Sequence, residues 1–242
     1  MSQTLTLTRI ETKLFVRDPA GLFFVFVLPL GLLTIFSLIN GDDAPGDGIP
    51  VSFLPTMAIG IGIGLLGFAT LPMILAGYRE KGVLRRMSTT PVKPVKLLVA
   101  QLLLHLIAAA LVIGLILGAG AVFFDAALPS APLPFAVAAL LYSIAQLSIG
   151  LLIAGLVPTA KAASIVGNLL IFPSMFFAGV WTPGDLMPES IRWLRDVTPM
   201  GAGMTSLQDA WSGQWPGTVS LIALVVAIVA CVAAAARFFR WE

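Results

Sequence analysis

Six stretches of the chain run for about twenty residues or more without a charged side chain, at residues 20–39, 51–76, 97–124, 133–157, 162–181 and 217–236. A helix needs about 20 mainly apolar residues, at about 1.5 Å of rise each, to cross a bilayer, so each run predicts a membrane-spanning helix. The breaks at 40–50, 77–96, 125–132, 158–161 and 182–216 hold nearly every charge and many of the 17 prolines. Barrel strands would be about ten residues long with strict alternation, which these runs lack. The pattern predicts an all-α polytopic membrane protein of six transmembrane helices in a single domain spanning 1–242, with no internal repeat and no soluble domain.

Composition narrows the class further. Apolar residues make up 58% and charged residues 11% of 242 positions, and the mean hydropathy is +1.00. A soluble domain carries about 45–50% and about 25% respectively, which excludes a water-soluble fold. The net charge of +2 lacks the clustered basic face that a nucleic-acid partner requires. Cys231 is the single cysteine, so no disulfide framework or cysteine metal site forms within one chain, and no metal site is expected.

The distribution of charge predicts orientation. Arg9, Lys13, Arg17, Arg79, Lys81, Arg85, Arg86, Lys93, Lys96, Lys161, Arg237 and Arg240 fall on one face, 12 of the 14 Lys and Arg, while Arg192 and Arg195 fall on the other with most of the acids. The positive-inside rule then makes both termini cytoplasmic. The first run is too long for a signal-peptide core and no small-residue cleavage site follows it, so it is expected to be retained.

Three polar segments carry more information. Residues 1–19 place Ile10, Leu14 and Leu7 on one helical face and Arg9, Lys13 and Arg17 on another, as in a helix lying in the interface against anionic lipid or a partner. A basic flank that only sets topology fits as well. In the loop 78–92, Val83, Leu84 and Met87 form a short apolar edge among Arg79, Glu80, Lys81, Arg85 and Arg86, and Pro91 ends any helix. That suits a compact helix docking on protein; a topogenic charge cluster is the plainer alternative. In 183–199, Met187, Ile191 and Leu194 recur at helical spacing between Pro188 and Pro199, predicting a short external helix that dips back into the outer leaflet, or an interfacial anchor.

These residues resemble the membrane subunits of type-2 ABC exporters, including small bacterial drug and antibiotic efflux permeases of the daunorubicin-resistance type. The resemblance rests on the run from Arg79-Glu80-Lys81-Gly82-Val83-Leu84-Arg85-Arg86-Met87 to Pro91, similar to an Arg-Glu-x-Gly-x-Leu-x-x-Leu-x-x-x-Pro signature, with Met87 for the usual Leu. It rests also on Phe177-Ala178-Gly179-Val180-Trp181-Thr182-Pro183, followed by Leu186, Pro188, Trp193 and Pro199. It implies an N-terminal interfacial helix, six spans in a bacterial cytoplasmic membrane, pairing with a second copy or a similar permease, and two ATP-binding cassette subunits. The loop after the second span would dock on the ATPase through Arg79, Glu80, Lys81, Val83, Leu84, Arg85, Arg86 and Met87. The second and fifth spans would meet the partner copy, with Gly60, Gly62, Gly64 and Gly67 allowing close approach.

The chain contains no Gly-x-x-x-x-Gly-Lys-Ser/Thr phosphate loop, so it is no enzyme by this reading, and ATP and Mg²⁺ would belong to the partner. No acid or base lies at a span centre, which argues against proton coupling. A path lined by Thr34, Ser164, Asn168, Phe172, Met175 and Phe176 would suit an amphipathic or apolar substrate, although helix packing is the ordinary role of such residues. Prolines 29, 55, 72 and 173 predict kinks or static shape. The only histidine, His105, reads as a hydrogen-bonded packing residue. Intramembrane proteases need a nucleophile and base in context, and prenyl or phosphotransferases need paired acids; neither is present. An ATP-independent channel or secondary carrier remains the alternative.

Overall fold

The computed structural model describes residues 3–40, 52–88, 95–124, 126–181 and 187–238, and all its regular elements among them are helices. Six helices have the length and apolarity to cross a membrane: Pro19–Leu38, Phe53–Glu80, Val95–Phe123, Pro132–Leu156, Ala160–Phe177 and Thr218–Phe238. Their outer faces carry exposed Ile107 and Leu111, Ile165 and Leu169, Val226 and Val229. An apolar exterior over helices whose backbone groups are satisfied internally is what hydrocarbon solvent stabilises.

The second span is the hub. It is largely buried within the chain, and its glycines face different neighbours: Gly60 abuts Met204 and Tyr142, Gly62 abuts Val112 and Pro29, Gly64 abuts Met200, and Gly67 abuts the backbone of Gln146. The expectation that these glycines serve a partner copy is therefore corrected, since a side chain at Gly67 would strike this chain's own fourth span. Gly150 and Gly167 repeat the device, packing against the carbonyls of Gly67 and Phe68.

Two spans contain a π-helical turn, Phe23–Val27 and Leu66–Thr70, and each turn is followed two residues later by a proline, Pro29 and Pro72. A proline lacks the N–H for the i−4 bond and its ring crowds that carbonyl, here on Val25 and Phe68. Widening the preceding turn relieves the clash, which is how these prolines are accommodated.

Between the fifth and sixth spans the chain forms a helical hairpin. Its first arm, Glu189–Val197, lies within the predicted external helix of 183–199, of which residues 183–186 lie outside the described set. The second arm, Pro199–Trp211, lies beyond the predicted elements, since Pro199 does not simply follow the end of a helix but opens a new one from its first turn. This arm is buried through Met200, Gly203, Met204, Leu207 and Trp211. Trp211 stacks edge-on to Phe135 at 5.7 Å, and Gly203 lies against the Tyr142 ring, whose hydroxyl donates to the Gly60 carbonyl at 2.9 Å. Met200 sits beside Gly64, so the hairpin tip reaches about the middle of the 28-residue second span.

Candidate functional site

The second span does not stop where its apolar run ends at Ala76 but continues as helix through Glu80. Successive helical side chains point about 100° apart, so Tyr78, Arg79 and Glu80 fan out toward three different elements. The Tyr78 hydroxyl donates to Glu11 Oε2 at 2.5 Å. Arg79 Nη1 donates to the Gly155 carbonyl at 3.4 Å, in the last turn of the fourth span. The Glu80 carboxylate accepts from the Ala160 amide at 2.9 Å, at the first residue of the fifth span. Helix ends leave carbonyls and amides unsatisfied, and a cation at a C-terminus with an anion at an N-terminus also complements the helix dipoles. Thr159 completes the second cap by accepting from Ala162 at 3.1 Å.

Beyond Glu80 the chain turns at Lys81 and Gly82. Gly82 has φ +66°, a left-handed conformation that glycine adopts without the Cβ penalty, and a short helix, Val83–Ser88, follows. Arg86 Nη2 donates back to the Lys81 carbonyl at 2.8 Å and closes the turn. Lys81, Arg85 and Arg86 are exposed, while Val83 and Met87 are half-buried; Leu84 lies on the same helix. Of the residues expected to dock, the structure thus holds Arg79 and Glu80 to other parts of the chain and presents Lys81, Arg85 and Arg86 outward. The remainder of the predicted 78–92 segment, including Pro91, lies outside the described residues.

Sequence reasoning missed the centre that Tyr78 reaches. The N-terminal helix, Gln3–Val16, packs along the third span with Glu11 and Phe15 turned inward, both under 10% exposed, while Ile10 and Leu14 are half-exposed and Arg9, Lys13 and Arg17 face outward. Glu11 Oε2 accepts from Gln101 Nε2 at 2.6 Å as well as from Tyr78. Burial raises the Glu11 pKa above the ordinary carboxylate value, an effect the two donated hydrogen bonds partly offset. One turn below, His105 Nδ1 lies 2.8 Å from the Gln101 carbonyl and its ring meets Phe15 edge-on at 6.0 Å, which makes His105 a packing residue. The available signal was Glu11 itself, the one acid before Asp18 in a basic segment.

A second polar network lies in the hairpin. Arg195 donates to Gln208, and Gln208 donates to the Thr56 hydroxyl at 3.3 Å, joining both arms to the second span. Thr205 and Asp196 face one another across the arms at 3.5 Å.

The expected path residues are not brought together within one chain. Thr34 is half-buried on the first span and bonds its own Leu30 carbonyl at 2.9 Å. The first span packs on the second and third, whereas the fifth packs on the second, the fourth and the hairpin. On the fifth span Met175 is buried and Ser164 half-buried, but Asn168, Phe172 and Phe176 are exposed. An apolar surface groove of about 480 Å³ lies elsewhere, between Val197 and the sixth span at Val219, Ile222 and Val226.

Among the described residues no group of His, Cys, Asp and Glu is arranged to hold a metal ion. No curated protein was found to match the chain. The family of ABC-2 type transporters matches residues 2–211, from the N-terminal helix to the end of the hairpin, leaving only the sixth span and its approach outside. With six apolar spans and that match over most of its length, the chain is a multi-pass membrane protein that belongs to the ABC-2 type transporter family, as a permease subunit.

Proposed function

We propose that this permease is the transmembrane subunit of an ATP-driven exporter, and that Val83–Ser88 is the surface on which its ATP-binding cassette partner docks. The observation that carries the reading is the exposed basic helix. It projects from the end of the most buried span, past a glycine turn, in a chain with no phosphate loop of its own. Lys81, Arg85 and Arg86 offer charge to a groove on the ATPase, and Val83 and Met87 an apolar edge. This end of the bundle would be cytoplasmic in a bacterial inner membrane, and ATP and Mg²⁺ would be bound by the partner.

Two copies, or one copy and a similar permease, would enclose the path. Asn168, Phe172 and Phe176 open outward from a single chain, and an amide facing lipid is costly unless it meets another polar group. A partner copy would supply one, and the mixed surface suits an amphipathic or apolar substrate, such as a drug, antibiotic or lipid-like molecule. Co-purification with the ATP-binding subunit tests the assembly: a stable particle of two permeases and two ATPases is expected. A single permease chain that transports in liposomes without an ATPase would refute it.

A further inference from the structure

Three consecutive residues, immediately before the Lys81–Gly82 turn, grip three separate elements: Tyr78 the N-terminal helix, Arg79 the end of the fourth span and Glu80 the start of the fifth. Arg79 and Glu80 straddle the turn that joins those two spans, and Gly77 packs beside Ala160, whose methyl lies 3.6 Å from the position a Cβ would take. The turn is short and is closed by the bond from Arg86 to the Lys81 carbonyl, so the loop helix has little slack relative to the end of the second span. Two of the grips fall on groups that helix ends leave unsatisfied, a terminal carbonyl and a terminal amide, and the third shares the buried Glu11 carboxylate with Gln101.

We propose that Tyr78, Arg79 and Glu80 are positioning residues that divide a displacement of the loop helix among the N-terminal helix, the fourth span and the fifth span, with Glu80 acting on Ala160 and not on the ATPase. The proposal rests on the docking role given above to Val83–Ser88, and it deepens that role by naming where the motion goes. It also removes Glu80 from the docking surface to which its place in the motif assigned it.

The test uses the full permease with its ATP-binding partner in nanodiscs and requires no knowledge of the substrate. Spin labels on Lys161 in two copies report the ATP and vanadate-dependent distance change at the start of the fifth span. Glu80→Ala is expected to keep the complex and its ATP hydrolysis yet lose that distance change, and Glu80→Gln, which retains an acceptor oxygen, is expected to restore it. Loss of ATPase binding in Glu80→Ala, or an unaltered distance change, overturns the proposal. Should the Glu80→Ala permease itself fail to fold into the membrane, Tyr78→Phe removes one oxygen and no bulk; it should abolish the ATP-dependent mobility change of a label on Lys13, and an unchanged response overturns the proposal equally. Arg85→Glu separates the two readings: a complex that survives it refutes docking through this helix, whereas its loss, with the Glu80 variants still assembled, leaves the positioning role to be judged on the label distances alone.

Discussion

The hydroxyl of Tyr78 and the carboxylate of Glu11 meet at 2.5 Å across 67 positions of sequence, and this bond pins the amphipathic N-terminal helix to the end of the most buried span. Gln101 of the third span shares the same carboxylate oxygen, so three elements converge on one buried acid. A buried carboxylate without a cation among its hydrogen-bond partners is sensitive to its protonation state.

That sensitivity has a defined sign. Because burial raises the pKa of Glu11 above 4.5, the folded helix binds its proton more tightly than the detached one. The contribution is fully present below the ordinary carboxylate pKa and is lost as pH rises through the raised value. Amide hydrogen exchange of Gln3–Val16, corrected for the intrinsic rate, should show greatest protection in mild acid and decreasing protection toward neutral pH. Glu11→Gln should flatten that dependence, and a profile identical to that of the parent protein would disprove the assignment.

Glycine substitutions should separate helix contact from helix propensity. A methyl at Gly167 would overlap the carbonyl oxygen of Phe68 in the π-helical turn, whereas one at Gly114 meets nothing. Gly167→Ala is expected to destabilise the protein by about 1–3 kcal/mol, as overpacking against backbone does. Gly114→Ala should be neutral or stabilise by up to about 1 kcal/mol through helix propensity. Thermal unfolding in detergent distinguishes the two, and equal shifts would contradict the packing described for the fifth span.

The hairpin should depend on Gln208. Replacing it by Leu breaks the link from Arg195 to Thr56 and takes a hydrogen-bond partner from a half-buried guanidinium. A loss of about 1.5–3 kcal/mol is expected for a hydrogen bond to a charged group. Thr56→Val should cost less of the hairpin, because it removes only the neutral bond that Thr56 accepts from Gln208 at 3.3 Å and leaves the bond from Arg195 to Gln208 in place. Protease nicking near the exposed Gln214 should rise in Gln208→Leu and scarcely change in Thr56→Val.

Orientation is open to direct labelling. With 12 of 14 Lys and Arg placed on one face, a cysteine at Lys81 should react with a membrane-impermeant thiol reagent only after permeabilisation of cells, and one at Gln214 should react from outside. The reverse pattern would invert the molecule and place the loop helix where no cytoplasmic ATPase could reach it.

What the sequence determined by itself is the class of fold. Charge-free runs of about twenty residues admit one low-energy solution in hydrocarbon, a helix that satisfies its own backbone, so six spans were legible without any knowledge of neighbours. Within the 78–92 segment the Val83 and Met87 edge is a local pattern that matches the short helix Val83–Ser88, whereas Tyr78, Arg79 and Glu80 continue the second span. The contacts of Glu80 and Glu11 do not follow from such patterns. A carboxylate in a basic segment reads as a solvent or docking charge, and only packing decides whether an orphan amide at Ala160, or the hydroxyl of Tyr78, lies within reach. Pro72 announced a distortion but not its form, since a kink and a π-helical turn both relieve the same clash. Pro199 marked a boundary correctly, yet proline ends one helix and opens the next with equal ease. The burial of Met200, Gly203 and Leu207 against spans distant in sequence, a tertiary interaction, decided that a helix follows and turned an apparent polar loop into a hairpin reaching the middle of the bundle.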